Sequence, residues 1–176
     1  MKIAILPLDY HPRPVEQILL TERPEVCHVL GFKEGMEYIA EDLGYGETNE
    51  EVLQDAGRRI GCLLEVHKCN HLSPKSVYKK VNKILENISL SDELVVNYSA
   101  GSRVMSMILC MMAVQRSLHM KVRILYSART SEGEEKVLDH TDELMKIFKK
   151  IREMVPEEPG PEEYEISDYE DEEEEE

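Results

Sequence analysis

The sequence predicts an α/β fold, in which an open, mainly parallel sheet of about five or six strands carries helices on both faces. Strand-type and helix-type apolar patterns alternate along the chain, which is typical of parallel strands linked by helical crossovers. The central strand candidates are apolar on both faces, as a sheet covered on both sides requires. The length of 176 residues is enough for one such domain with a proper core.

The predicted elements follow one another in a regular order. Short apolar runs are the strand candidates, at residues 3–6, 26–32, 62–66, 94–97 and 122–126. The helix candidates are residues 14–20, 34–42, 49–60, 74–88, 104–117 and about 136–154. Pro14 and Pro74 suit the first turn of a helix, and Ser73 suits the cap before Pro74. Thr48 and Glu51 have the spacing of a capping box.

The negative charge of the chain is concentrated at its end. Of the net charge of −15, a share of −13 falls within residues 157–176, which contain no Lys or Arg, so the rest carries −2. We therefore expect a folded domain over residues 1–154 and a disordered acidic tail over residues 155–176. The body has no basic stripe, so we do not expect direct binding to duplex nucleic acid.

Cysteine usage and hydropathy predict a cytoplasmic protein. The four cysteines lie in apolar runs without C-x-x-C spacing, which is typical of reduced, buried thiols. The longest apolar run, residues 104–114, is far shorter than the roughly 20 residues that a membrane span needs. We therefore expect no association with a membrane.

The stretch DELVVNYSAGSRVMSMILCMMAVQ, residues 92–115, indicates an anion site. Asn97 ends a buried strand, and a long apolar helix begins near Ser102. The N–H groups of Gly101, Ser102 and Arg103 would lack partners there, and the helix dipole adds partial positive charge. The Walker spacing is absent, and the first strand is not followed by a glycine-rich dinucleotide fingerprint. The pattern favours phosphate binding, and it argues against an NAD site or an ATP-hydrolysing site.

The joint between this strand and this helix, residues 97–103, resembles, together with the start of the helix, the corresponding fourth strand and helix of CARF domains, the CRISPR-associated Rossmann-fold sensors. The matching residues are Asn97, Ser99, Gly101, Ser102, Arg103 and Met105, while Ala100 stands where the family has its first glycine. The resemblance implies a Rossmann-like, stand-alone domain that forms a homodimer. It further implies that the dimer binds cyclic oligoadenylate, the second messenger of type III CRISPR antiviral defence, across its two-fold axis.

The resemblance also implies a set of site residues. Those assigned to ligand binding are Asp9, Tyr10, Arg13, Asn97, Ser99, Ala100, Gly101, Ser102 and Arg103, with Lys68, Ser127, Arg129 and His67 at the rim. Some relatives are ring nucleases that cleave the messenger without a metal, by attack of a ribose 2′-hydroxyl that leaves a 2′,3′-cyclic phosphate. For that reaction Arg103, Ser102 and His11 are the candidate catalytic residues. Whether this chain cleaves the ring or only binds it stays open.

Other patterns compete with this interpretation. His67-x-Cys69-x-His71 presents three possible metal ligands, but a fourth is not evident. We interpret these residues as structural or as part of the rim of the site, and we expect neither metal nor cofactor. Asp139-His140-x-Asp142 is interpreted as a solvated face of the last helix. The alternative function is a regulatory domain that binds another nucleotide or a phosphorylated metabolite and acts through a protein partner. A transcription regulator without its DNA-binding half is a third possibility.

Overall fold

The computed structural model describes residues 1–129 and 135–154. The strands are β1 (Lys2–Pro7), β2 (Val26–Gly31), β3 (Leu63–Lys68), β4 (Glu93–Asn97), β5 (Lys121–Arg129) and β6 (Glu135–Asp139). The helices are α1 (Arg13–Glu22), α2 (Lys33–Glu37), α3 (Asn49–Ile60), α4 (Pro74–Leu85), α5 (Arg103–Arg116) and α6 (Thr141–Met154). None of these helices is long and apolar enough to cross a bilayer. The predicted acidic tail lies outside the described residues.

The six strands form one open sheet in the order β3-β2-β1-β4-β5-β6. All neighbours run parallel except β5 and β6, which are antiparallel. Ile5 of β1 lies between His28 of β2 and Val96 of β4, so these strands are held in one register. The prediction of a Rossmann-like, mainly parallel sheet with helices on both faces is confirmed.

Each face of the sheet buries its own core because successive side chains of a strand point to opposite sides. Ile3 and Ile5 of β1 belong to a core that includes apolar side chains of α4 and α5. Ala4 and Leu6 belong to a second core, which includes side chains of α1 and α3. The continuous apolar runs of β1 and β4 are therefore explained by burial on both sides.

The predicted helix starts are largely confirmed. Thr48 and Glu51 form a reciprocal capping box: the Thr48 hydroxyl accepts from the N–H of Glu51, and the Glu51 carboxylate accepts from the N–H of Thr48. Ser73 caps α4 with Pro74 in its first turn. The expected helix over residues 34–42 is wrong in its extent, because α2 ends at Glu37 and only a short 3₁₀ turn, Glu41–Leu43, follows.

The expectation of a single helix over residues 136–154 is wrong. Residues Glu135–Asp139 form β6 instead, because β5 continues to Arg129 and offers a sheet edge with which they pair. Thr141 then starts α6, and its hydroxyl accepts from the N–H of Ile124 on β5. Asp139 and Asp142 therefore do not share a helix face as predicted.

Asp139 holds the junction between β6 and α6. Its carboxylate accepts from the N–H and hydroxyl of Thr141 and from Nε of Arg123, at 2.9 Å in the last case. Burial alone would raise the pKa of Asp139, but these hydrogen bonds and the Arg123 charge lower it below the usual value. The junction is therefore stabilised by the ionised form of the carboxyl.

We expect Asp139→Asn to lower the free energy of unfolding by about 1 kcal/mol at neutral pH, since the carboxyl is partly exposed. The folded-state pKa is the lower one, so this contribution is complete above the unfolded value of about 4 and disappears as pH falls through the folded value. Urea unfolding between about pH 7 and about pH 3 measures the difference between variant and wild type. A difference that stays constant across this range contradicts the assignment, and Asp42→Asn is the exposed control.

Candidate functional site

The sheet reverses its strand order between β1 and β4. The chain proceeds from β1 outward to β2 and β3 on one side, and from β4 outward to β5 on the other. Beyond the carboxyl ends of two such strands the following loops separate and leave a crevice, which is where open α/β sheets bind ligands. In this chain those loops are residues 8–12 after β1 and residues 98–102 after β4. Both loops contain residues that the sequence predicts to bind the ligand.

Gly101 packs closely against the end of β1. Its φ is +77°, a left-handed conformation that side chains other than glycine rarely adopt. A Cβ added there would lie 2.7 Å from Cβ of Pro7 and 3.3 Å from Cε of Met105. The sequence therefore places a glycine here for two separate reasons, the backbone conformation and the lack of space.

The start of α5 presents backbone donors at this crevice. Ser102 is the N-cap, and its hydroxyl oxygen accepts from the N–H of Met105 at 3.2 Å. The N–H groups of Gly101, Ser102 and Arg103 donate to no acceptor within the part of the chain that is described. With the dipole of a 14-residue helix behind them, they form a compact patch of partial positive charge.

The hydroxyl of Ser102 is used within the fold. It donates to the carbonyl of His71 at 2.7 Å, which fastens the loop after β3 to the joint. Ala100 is buried, and its carbonyl accepts from the hydroxyl of Ser106 at 2.7 Å. Ser102 therefore positions the start of α5 and the neighbouring loop, and Ala100 helps to close the turn.

Asn97 anchors the turn that follows β4. It is fully buried, and its Oδ1 accepts from both the N–H and the hydroxyl of Ser99, at 2.9 and 2.7 Å. The hydroxyl oxygen of Ser99 accepts from the N–H of Ser127 at 2.8 Å, and Nδ2 of Asn97 donates to the hydroxyl of Ser127. These three predicted ligand residues form one network that links β4 to β5. Their side-chain groups hold the shape of the joint.

Arg103 differs from its neighbours because its side chain is exposed. Its guanidinium makes no hydrogen bond or ion pair with the residues that the structure describes. A guanidinium at the start of a helix gains nothing from the helix dipole, which disfavours positive charge there. The position of Arg103 therefore does not stabilise the helix, but it suits an anion that binds the same helix end.

The loop after β1 contributes polar groups in a fixed turn. The carboxylate of Asp9 accepts from the N–H of His11 at 2.8 Å, and the His11 side chain is exposed. Nη2 of Arg13 donates to the carbonyl of Leu43 at 2.9 Å, so this arginine ties the start of α1 to the loop before α3. Nearby, burial and the hydrogen bond to Glu16 raise the pKa of Tyr45 to about 12.

An aromatic cluster lies beside these loops. Tyr10 is its only member that the sequence predicts to bind the ligand. The exposed ring of Tyr10 packs edge-on against Phe32 and Tyr38, with centroids 5.3 and 5.2 Å apart. Phe32 also contacts the ring of His71 at a centroid distance of 3.8 Å. Nδ1 of His71 is buried and has no hydrogen-bond partner among the residues that the structure describes. Phe32 directly follows β2, so its position after a strand was the available signal.

The rim residues are dispersed. Lys68 ends β3 and, together with Phe32 and His71, borders an open cavity of about 460 Å³. Arg129 ends β5 opposite Glu135. His67 does not lie at the rim as expected: its ring faces His28, and Cys69 and His71 do not join it, because β3 ends at Lys68 and the chain turns.

Neither a known family model nor a curated protein matches the sequence. Solved structures, in contrast, match the fold of the chain. Can2 from Sulfobacillus thermosulfidooxidans, in complex with cyclic tetra-adenylate, matches 77% of this chain with a TM-score of 0.55 and 13% identity. Csm6 from Enterococcus italicus, bound to cyclic hexa-2′-fluoro-hexa-dAMP, matches 89% of it with a TM-score of 0.57 and 13% identity.

The chain spans well under half of these neighbours, 36% of the first and 41% of the second. At such low identity the likeness shows a common fold. That fold is the α/β class described above, and it agrees with the resemblance to CARF domains that the joint carries. The functional assignment has to come from the geometry of the joint itself.

The glycine at the joint gives a direct test of its geometry. We expect Gly101→Ala to lower the free energy of unfolding by about 2–4 kcal/mol, because it adds backbone strain to a steric clash with Pro7. Gly44 has a matching positive φ of +84°, but a Cβ added there meets no atom of the described residues within 4 Å, so Gly44→Ala should cost only about 1 kcal/mol. Urea denaturation measures both. Equal costs at the two positions would contradict the close packing of Gly101 on β1.

Proposed function

We propose that the chain is a CARF-type domain that binds a cyclic oligoadenylate at the β1–β4 switch point. The observation that carries the proposal is the row of unpartnered N–H groups at the start of α5, next to an exposed arginine without a partner among the described residues. A phosphate would accept from Gly101, Ser102 and Arg103 N–H groups and pair with the Arg103 guanidinium. The ligands named for the two structural neighbours support this choice of anion.

The aromatic cluster supplies what a nucleobase needs beside the phosphate site. Tyr10 is 44% exposed and is held by edge-on contacts to Phe32 and Tyr38, so its ring is available and fixed in place. Stacking on such a ring contributes about 1–3 kcal/mol per base. A ligand that combines phosphates with purine bases therefore fits both halves of the site.

We further propose that the domain works as a homodimer in the cytoplasm. A cyclic ligand presents the same phosphate more than once, so two copies of the joint facing each other would bind it symmetrically. The helices behind the joint offer an apolar surface for such pairing, since Met107, Met111, Ile147 and Ile151 are all more than half exposed. The four free cysteines agree with a reducing compartment.

Cleavage of the ring is the finer part of the proposal. Attack by a ribose 2′-hydroxyl on the adjacent phosphate needs in-line positioning and stabilisation of negative charge, which the N–H row and Arg103 would supply. The hydroxyl of Ser102 already donates to His71, so its role in cleavage would be to position the helix end. His11 is exposed on the opposite loop and is the candidate for proton transfer.

The test of the site is a binding measurement on Arg103→Ala. Loss of a charged hydrogen-bonding group should weaken cyclic tetra-adenylate or hexa-adenylate about 10- to 100-fold, with unchanged thermal stability. Arg59→Ala removes the same charge from an exposed position at the end of α3, on the far side of the sheet, and should leave affinity unchanged. Equal effects of the two variants would show a general charge effect and contradict the site.

The same experiment, run in EDTA with labelled rings, separates the possible activities. One ring retained intact per two chains indicates a sensor or sink. Conversion to a linear product with a 2′,3′-cyclic phosphate end indicates a metal-independent ring nuclease. If neither ring is retained or cut by the wild-type protein, the proposal is wrong in its ligand, and a mononucleotide or phosphorylated metabolite becomes the better candidate.

The base-binding half is tested at Tyr10. We expect Tyr10→Leu to weaken ring binding about tenfold, because an aliphatic side chain keeps the local packing but cannot stack a purine. Tyr10→Phe retains the ring and should bind nearly as well as the wild type. Fluorescence anisotropy with a labelled ring measures both. If the two variants bind equally well, Tyr10 does not stack a base.

A further inference from the structure

A second cluster of functional side chains lies on β2 and β3, away from the joint. His28 and Glu65 are directly opposite each other in the parallel pairing of these strands. His67 follows Glu65 by two residues, so strand alternation puts all three side chains on the face that α4 covers. The cluster depends on the strand register, because a shift by one residue would move one strand's side chains to the other face.

The three side chains bring one ligand atom each into a tight group. Nδ1 of His28 lies 2.9 Å from Nε2 of His67 and 3.3 Å from Oε2 of Glu65, and Nε2 of His67 lies 3.7 Å from the same oxygen. A tetrahedral ion with bonds of about 2.0–2.1 Å to nitrogen and oxygen separates its ligand atoms by about 3.3 Å. The three observed distances lie around that value.

A simple hydrogen-bonded arrangement accounts for less of this geometry. One proton can serve the two ring nitrogens or one nitrogen and the carboxylate, yet all three atoms lie within 3.7 Å of one another. Glu65 supplies the negative charge that balances part of the ion's charge.

The surroundings leave room for a fourth ligand. The cluster opens into a cavity of about 460 Å³ between the sheet and α4. The His28 and His67 side chains are 13% and 21% exposed, while Glu65 at 48% lies towards solvent. Lys80 and Lys83 also border this cavity, and their charges oppose a cation, so the affinity rests on the three ligand atoms.

We propose that His28, Glu65 and His67 form a binding site for a divalent transition-metal ion of the zinc type, with water or another small ligand in the fourth position. Two imidazoles and one carboxylate are a ligand set that Zn²⁺ adopts where it keeps an open position. The site replaces the sequence expectation of no metal, and it uses only one residue of the His67-x-Cys69-x-His71 pattern. It does not rest on the proposed function.

Cobalt(II) provides the probe, because its visible absorption reports tetrahedral coordination. Titrated into the full, EDTA-treated and desalted chain, Co²⁺ should bind at one ion per chain with the intense visible bands of a tetrahedral centre, and Zn²⁺ should displace it. Glu65→Gln and His67→Gln should each weaken binding by at least about tenfold. His119→Gln removes an exposed histidine elsewhere and should change nothing.

Two further readings separate this site from weak binding by other groups. The variants keep the acidic tail and all four cysteines, so ion binding that survives both substitutions, or that shows a cobalt–thiolate band, overturns the proposal. Zn²⁺ should raise the melting temperature of the wild type and not that of Glu65→Gln, a nearly isosteric change at a half-exposed position. Absence of a tetrahedral cobalt spectrum in the wild type also overturns it.

Discussion

The close packing of the β4–α5 joint on the end of β1 is the constraint on which the candidate site depends. Parallel pairing of β1 with β4 brings Gly101 so near Pro7 that no side chain fits between them. This contact fixes where α5 begins relative to the crevice, and hence the position of the N–H groups that have no partner in the described part of the chain. A looser joint would leave the same sequence motif without a defined position for an anion.

The polar groups of the joint fall into two sets: side chains that hold the shape of the turn, and donors that remain available to a ligand. Asn97, Ser99 and Ser102 use their side chains on neighbouring backbone and hydroxyl groups, so they stabilise the shape of the turn. Backbone N–H groups and Arg103 remain for a ligand. Most of the joint residues that the sequence predicts as ligand contacts therefore have a structural role. They hold a small number of hydrogen-bond donors in place.

Much of this could be predicted from local sequence. Buried strands show as apolar runs, and the capping residues Thr48 and Ser73 act within one turn of the chain. The joint was predictable for the same reason, since strand, glycine, cap and helix are consecutive. What failed depends on distant partners: β6 forms because β5 extends far enough to pair with it, and this extension has no strong local signal.

The two clusters found only in the structure have the same explanation. Phe32 and His71 meet because two loops end at one sheet edge, and His28 meets Glu65 because of the β2–β3 register. Side chains 37 residues apart give no local pattern that distinguishes a metal ligand from an ordinary strand histidine. Such contacts follow from tertiary structure, which periodicity and spacing describe only in outline.

An amide nitrogen–proton NMR titration with cyclic tetra-adenylate or hexa-adenylate tests most directly whether the N–H groups at the start of α5 bind phosphate. We expect the amide resonances of Gly101, Ser102 and Arg103 to shift together and most strongly. The resonance of Gly61, which precedes β3 at the amino ends of the parallel strands, should stay in place. Such shifts are expected because a new hydrogen bond to phosphate changes the environment of the donating N–H group. Saturable binding that leaves these three resonances unchanged would contradict the proposed anion site at the start of α5.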